Sequence, residues 1–482
     1  MQMNNRDEQV RTWKARTKYS AGVAGVLAIV LAVLIIVPSL GADSRLSAEE
    51  TRLLRQFESV YQFIRNSYVD EVEADKLIKG ALKGMFESLD DPHSAYLSRE
   101  EMRSLSDTTS GEFGGVGMYI NKQRPDGDAP RYVEVVSPIE GTPAYHAGVR
   151  GGDIIIAIDE ESTAPLNIDE VVDKLRGRPG TDVLVTIRRG PTATLDVNLT
   201  RDTIQVPTVR QALIDNSIGY LRIVQFTPHT RDRVREALHD FSEQGYSQLI
   251  VDLRGNPGGL LNAVVEVSDL FLDEGLVVGT RGRVASENHE FNARPGIEVG
   301  EDIEIVILID KGSASAAEIM AGALGDRERA LLVGQTTYGK GSVQQVRGLA
   351  DGGFRLTMSR YYTPSGSYID NNGIAPHIEM LPPSLSEGEE ELAVQLAGED
   401  LILNWAQKNS DADRSDIESY ITRLRETGYA DLPDWYLERI IDRTLRRQRQ
   451  EDPVYDLRHD VVLKQALELL QTGEVGRKLG LR

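Results

Sequence analysis

Ile303–Leu324 reads IEIVILIDKGSASAAEIMAGAL. The near-continuous apolar run Ile303–Ile309 predicts a strand covered on both faces. Asp310, Lys311 and Gly312 interrupt it, and Ala314–Leu324 then predicts a helix. A strand feeding a helix through a short polar loop is the repeating unit of an α/β sheet. The same alternation extends outward in both directions. Ile218–Phe226, Gln248–Leu253 and Ala330–Val333 read as strands, and Arg231–Glu243 and Leu260–Leu272 as helices. The expected fold class is therefore mixed α/β, with a parallel or mixed sheet. After about residue 340 the pattern turns to β-formers and glycine, closing at Asn371–Met380.

Three loops stand at the ends of these strands, where open α/β sheets bind ligands. They are Asp252–Gly259 (DLRGNPGG), Lys311–Glu318 (KGSASAAE) and Tyr338–Gln344 (YGKGSVQ). They contain serines and a lysine but no histidine. A serine hydroxyl is a weak nucleophile unless a base stands beside it, so Lys340 is the available base. At pH 7 only roughly one free lysine in 2,500 is neutral, which requires that burial depress its pKa. Gly339, Gly341 and Val343 put no charge beside Lys340, and Gln344 can hydrogen-bond its amine without adding one. A serine that opens a helix also has amides and a dipole favouring a developing anion. The Ala316 N–H is then one oxyanion donor, and a second comes from Gly258 or Gly259, where backbone can approach closely.

Two rival readings use the same residues. Ser313 or Ser315 could simply cap the helix, with Glu318 completing a capping box, and Lys340 alone could be a solvated surface lysine. Gly334-x4-Gly339-Lys340 also approaches a nucleotide-binding loop. However, Gly341 stands where a magnesium-holding Ser or Thr belongs, and Ser342–Val346 alternates like a strand instead of opening a helix.

The flanks differ in character. In residues 47–110, Leu53, Phe57, Val60, Ile64 and Tyr68 recur at helical spacing, as do Leu77, Ala81, Leu82, Met85 and Leu89. This amphipathic region suits dimerisation, or packing on the next domain. Residues 112–202 open on Phe113-Gly114-Gly115-Val116-Gly117. Short strands follow at Tyr132–Val136, Asp153–Ile158, Val183–Arg188 and Leu195–Leu199, with one helical segment at Asn167–Leu175. Residues 381–482 are polar and helical in character, broken by Pro433 and Pro453, and read as a solvated appendage.

Pro138–Asp159, PIEGTPAYHAGVRGGDIIIAID, resembles a PDZ domain of the permuted bacterial kind. DLRGNPGG, GSASAAE and TYGKGSVQ, in this order behind it, resemble the carboxyl-terminal processing peptidases, the tail-specific S41 serine peptidases. The resemblance implies a crotonase-like or ClpP-like β–α core with an inserted PDZ domain. The segments would be 1–19 cytoplasmic, 20–40 anchor, 44–110 helical, 112–202 PDZ, 203–380 catalytic and 381–482 helical extension. It makes Ser315, not Ser313, the nucleophile, Lys340 the base and Gln344 the residue that positions it. Asp326 aligns with an acidic family position, but it and Glu318 fit a capping or ion-pair role better than proton transfer. Residues 113–117 would form the nest of N–H groups that holds a substrate's terminal carboxylate. Arg176 could contact the catalytic domain, but a solvated arginine is the expectation. The implied activity is a serine endopeptidase that needs no metal or organic cofactor. Its partners would be protein or peptide substrates with accessible C-termini, with room for a homo-oligomer and an adaptor protein. The alternatives are a catalytically inactive PDZ-scaffold adaptor and a crotonase-like acyl enzyme.

Composition narrows the partners. With 75 acidic against 54 basic side chains, a net charge of −21, the chain would be repelled by nucleic acid. It has no cysteine, which removes disulfides, thiolate metal sites and a cysteine nucleophile. Its seven histidines are scattered without a zinc-binding pattern. Ala21–Val37 is apolar or glycine throughout and, as a helix, would span about 26 Å, slightly short of a bilayer core. Arg6, Arg11, Lys14, Arg16 and Lys18 precede it. That charge bias predicts a single-pass inner-membrane anchor with the catalytic bulk periplasmic. Cleavage as a signal peptide is the rival, though Leu40 and Ala42 make a poor small-x-small site.

Overall fold

The computed structural model describes residues 46–122, 132–139, 141–190, 193–449, 451 and 453–480. The expected cytoplasmic segment and membrane anchor lie outside these residues. Among the described residues no helix is long and apolar enough to cross a membrane.

The chain divides into two compact units, up to Met85 and from Phe86 onward. The first holds α1 (Ala48–Ser67) and most of α2 (Ala74–Glu87). Ser47 opens α1 in a reciprocal capping box: its Oγ accepts from Glu50 N at 3.1 Å and its N–H donates to Glu50 Oε2 at 2.6 Å. No residue of α1 is buried, and Leu53, Phe57, Val60 and Phe63 are exposed.

The second unit begins with a short strand absent from the sequence reading, β1 (Ala95–Leu97), and α3 (Arg99–Ser110). A β-rich module follows, made of β2 (Glu112–Gly115), β3 (Met118–Asn121), β4 (Val133–Pro138), a one-turn α4 (Pro143–His146), β5 (Ile154–Ile158), β6 (Glu161–Ser162), α5 (Ile168–Leu175), β7 (Asp182–Arg189), β8 (Ala193–Thr200) and β9 (Asp202–Gln205). Its sheet runs β3-β4-β5-β7-β8, leaving β3 at an edge. Alternate residues such as Val133, Val135, Val185 and Ile187 point inward, as strand periodicity requires. Arg176 is not the solvated arginine expected. It pairs with Asp107 of α3 at 2.9 Å and lies 4.8 Å from the Phe113 ring centroid.

The α/β part comprises β10 (Val209–Ile214), β11 (Ile218–Ile223), α6 (Thr230–Glu243), β12 (Gln248–Asp252), α7 (Leu261–Ser268), β13 (Leu276–Gly282), β14 (Glu290–Asn292), β15 (Glu304–Ile309), α8 (Ala316–Asp326), β16 (Leu331–Gly334), β17 (Ser342–Gly348), β18 (Gly353–Tyr362) and β19 (Ile378–Glu379). Its main sheet runs β10-β11-β12-β15-β16-β19. It is parallel except for β10, which is antiparallel to β11. A second sheet, β1-β18-β13-β14, carries β17 on β18. Period-2 alternation divides the main sheet cleanly. Leu249, Val251, Ile305, Ile307 and Ile309 face a core completed by α6, α7 and α8. Ile250, Val306, Leu308 and Val333 face the other way.

That second face corrects the reading of the tail. The last hundred residues form α9 (Glu387–Gly398), α10 (Leu401–Lys408), α11 (Arg414–Leu424), α12 (Asp434–Gln448), α13 (Val461–Gln471) and α14 (Glu474–Leu479). α9 to α12 close on a core of their own around Leu424, Leu437, Ile441 and Leu445. α13 and α14 are no appendage: Val462, Leu463, Ala466, Leu470 and Val475 bury the second face of the main sheet. A central parallel sheet needs cover on both faces, and the helices between its strands supply one. Leu463→Ala and Leu470→Ala should therefore each cost about 2–5 kcal/mol and lower hydrogen-exchange protection of the β12 and β15 amides. Leu437→Ala should leave that protection unchanged.

Candidate active site

The three loops singled out in the sequence meet at the carboxyl ends of β12, β15 and β16. Ser313 is fully buried and structurally occupied: its Oγ donates to Leu253 O at 2.8 Å and accepts from Asp310 N at 3.0 Å. Ser315 is half-buried at the start of α8, with φ +54° and ψ −113°. A non-glycine residue there is strained by about 1–3 kcal/mol and persists only where its surroundings enforce it.

The enforcing group is Glu318. Its side chain is wholly buried and accepts four hydrogen bonds. Oε2 takes Ser315 N at 2.7 Å and Lys340 N at 2.9 Å. Oε1 takes Gly339 N at 2.6 Å and Thr337 Oγ1 at 2.5 Å. Burial pushes this carboxyl above the usual range, and the four donors pull it back. One half of the expected capping box is thus present, but the same carboxylate also binds the lysine loop. Local spacing gave a signal for the first role and none for the second.

Lys340 lies half-buried beside this hub. Burial pushes its ammonium below the ordinary lysine range. The positive charge of Arg355 on β18 pushes the same way, and Glu318 opposes both. Among the described residues no hydrogen bond joins Lys340 Nζ to Ser315 Oγ. Gln344 does not bond to Lys340 either. Its Nε2 donates to Ser342 Oγ at 2.7 Å and Ser342 O at 3.2 Å, next to a register shift between β17 and β18. Asp326 is at the far end of α8, about 16 Å along the helix from Ser315, where it accepts from Ser365 N at 2.9 Å. The structure does not bring it to the site.

The glycine loop packs directly on Ser315. A Cβ on Gly258 would stand 2.7 Å from Ser315 Cβ and 3.0 Å from Ala316 N, and one on Gly259 would stand 2.0 Å from Phe226 O. Both have positive φ, +102° and +145°, so each must be glycine. Their amides differ. Gly258 N donates to Asn256 Oδ1 at 2.8 Å. Phe226 bonds to Gly258 O and Leu260 N on either side of Gly259, whose own N–H, like that of Ala316, has no protein acceptor among the described residues. Asn256, buried and also bound to Ile223 O at 2.8 Å, was not singled out from sequence. The 113–117 segment runs from β2 into β3, where Val116 O accepts from Ala144 N and Gly117 O from Ile139 N.

Residues 217–380 match peptidase family S41, residues 134–189 a PDZ domain, and residues 38–101 the N-terminal domain of the activating protease CtpB. A carboxy-terminal-processing protease of Bartonella bacilliformis is 38% identical over 393 residues, 78% of this chain and 87% of that protein. The chain belongs to peptidase family S41. It is a serine-type peptidase of the carboxy-terminal processing kind with a PDZ domain. Carboxy-terminal processing protease CtpA of Bacillus subtilis is 35% identical over 68% of this chain and 69% of its own length. A solved photosystem II D1 C-terminal processing protease is 29% identical, with a TM-score of 0.42, over 71% of this chain and 95% of that one.

Glu318→Gln replaces one acceptor oxygen by an N–H2 group facing backbone donors. In this peptidase it should lower kcat about a hundredfold by freeing one of the two loops, read by steady-state kinetics on a peptide substrate.

Proposed function

We propose that Ser315 is the acylating nucleophile and Lys340 its general base, in an endopeptidase that selects substrates by their C-termini. The observation that carries this reading is the shared Glu318 carboxylate, which binds the backbone of both residues through one oxygen. Neutral Lys340 takes the Ser315 proton as Oγ attacks the scissile carbonyl. The tetrahedral oxyanion is held by the amides of Ala316 and Gly259, the second because Gly258's N–H already serves Asn256. Lys340 then protonates the leaving amine, and water attacking the acyl-enzyme repeats the sequence in reverse.

The missing Ser315–Lys340 hydrogen bond, together with Gln344's turn toward Ser342, supports reading this arrangement as a resting state. Substrate binding would bring Gln344 onto Lys340. The recognition element proposed is the 113–117 loop with the edge strand β3. The N–H groups of Val116 and Gly117 have no protein acceptor among the described residues, and an edge strand can pair an extended peptide. The exposed apolar face of α1 supports a homo-oligomer. The basic flank and apolar run before residue 40 support an inner-membrane anchor with a periplasmic catalytic part.

Ser315→Ala and Lys340→Ala should each abolish cleavage of a protein bearing an apolar C-terminus. Full cleavage by either variant overturns the assignment. A peptide amidated at its C-terminus should bind at least about tenfold more weakly than its free acid, measured by fluorescence anisotropy. The activity should rise with pH as Lys340 loses its proton, because the neutral amine is the base. Arg355→Met removes a charge that disfavours the ammonium and so raises the Lys340 pKa. The rising limb of kcat/KM should then move to higher pH, and an unmoved limb would exclude Arg355 from this role.

A further inference from the structure

The Asp252–Gly259 loop owes its anchoring to a residue far outside the catalytic region. Arg254 is half-buried, and its guanidinium is clamped between two carboxylates. Nε donates to Asp252 Oδ1 at 2.9 Å and Nη2 to Asp252 Oδ2 at 2.6 Å. Nη1 donates to Asp460 Oδ1 at 2.9 Å and Nη2 to Asp460 Oδ2 at 2.6 Å. Asp252 is fully buried and also accepts from Tyr220 OH at 2.6 Å.

Asp460 has a second task at the same oxygen. Its Oδ1 accepts from Leu463 N at 3.0 Å, capping α13. Two carboxylates and one guanidinium leave an uncompensated negative charge. The N-terminus of α13 carries the partial positive charge that offsets it. The start of the tail helix is therefore registered directly on the catalytic loop.

From Arg254 onward the loop has little freedom. Gly255 N donates to Asp310 Oδ1 at 2.9 Å, and Ala314 N donates to Asn256 O at 2.9 Å. A shift of Arg254 passes through these bonds to Gly258 and Gly259, which lie against Ser315. Bidentate guanidinium–carboxylate pairs fix orientation as well as distance.

We propose that Asp460 is a positioning residue for hydrolysis: through Arg254 it holds the Asp252–Gly259 loop in register with Ser315, making the C-terminal segment part of the catalytic apparatus. This rests on the reading that the loop supplies an oxyanion amide to Ser315.

The test uses Asp460→Ser, which keeps a helix-capping oxygen but removes the partner of Arg254. It is compared with Leu467→Ala, a packing change on the same helix, in the full-length peptidase with a fluorogenic peptide bearing a free apolar C-terminus. Assays run well below both thermal midpoints. Asp460→Ser should lose kcat roughly ten- to a hundredfold, with KM little changed, since sub-ångström to 1 Å misplacement has that effect. Leu467→Ala should keep wild-type kcat despite a lowered Tm. Wild-type kcat in Asp460→Ser overturns the proposal, as does a parallel loss of kcat in Leu467→Ala, which would reduce the pair to general stability. If Asp460→Ser does not fold, Asp460→Glu keeps the charge and displaces it by one methylene. A kcat loss at unchanged Tm then supports the proposal, and wild-type kcat overturns it. Ser315→Ala runs alongside. If it stays active the nucleophile assignment has failed, whereas an inactive Ser315→Ala beside a fully active Asp460→Ser refutes the Asp460 role alone.

Discussion

The Glu318 carboxylate is the constraint on which the site depends. It is buried, it accepts four hydrogen bonds, and two of its donors are the backbone amides of Ser315 and Lys340. A buried carboxylate is costly unless its acceptor sites are filled. Here they are filled by groups that would themselves be unsatisfied without it: the first amide of a helix start and the amides of a glycine-rich turn. The arrangement also accounts for the backbone of Ser315. Its positive φ is tolerated because Glu318 and Gly258 leave the chain no relaxed alternative.

Around that hub the sheet provides rigidity and the loops provide chemistry. Alternating residues of β12 and β15 are divided between two hydrophobic cores, so a slip by one residue in either strand would exchange both faces. One core is closed by the helices between the strands, the other by α13 and α14. α13 and α14 are thereby bound twice, by apolar burial along their length and by the Arg254–Asp460 pair at the N-cap of α13. The four-helix segment before them keeps its own core, which separates a region built into the peptidase from one that is packed independently.

Much of the local structure was legible in the sequence. The strands and helices read across residues 217–334 appear where periodicity indicates, because a strand buried on both faces must be apolar at nearly every position; β13 and β14, which pair in the second sheet, lie outside that alternation. The helical segment read at Asn167–Leu175 is present, opened by Asn167, which accepts the Glu170 N–H. The tail misled because α13 has polar positions among its leucines, and amphipathicity identifies a face without saying what covers it.

The sequence by itself determined most of the element types, the order of the three loops, and the choice of a lysine where no histidine was present. These follow from periodicity, backbone sterics and side-chain chemistry, which act over a few residues. Tertiary structure alone decided that Ser313 is consumed by Leu253 and Asp310, that Gly258's amide is spent on Asn256 while Gly259's is not, and that Gln344 turns to Ser342. It also decided that Glu318 joins two loops and that Asp460 reaches Arg254 across 206 positions of sequence. Each of these depends on which groups meet when distant segments close on one sheet, and local pattern carries no information about that.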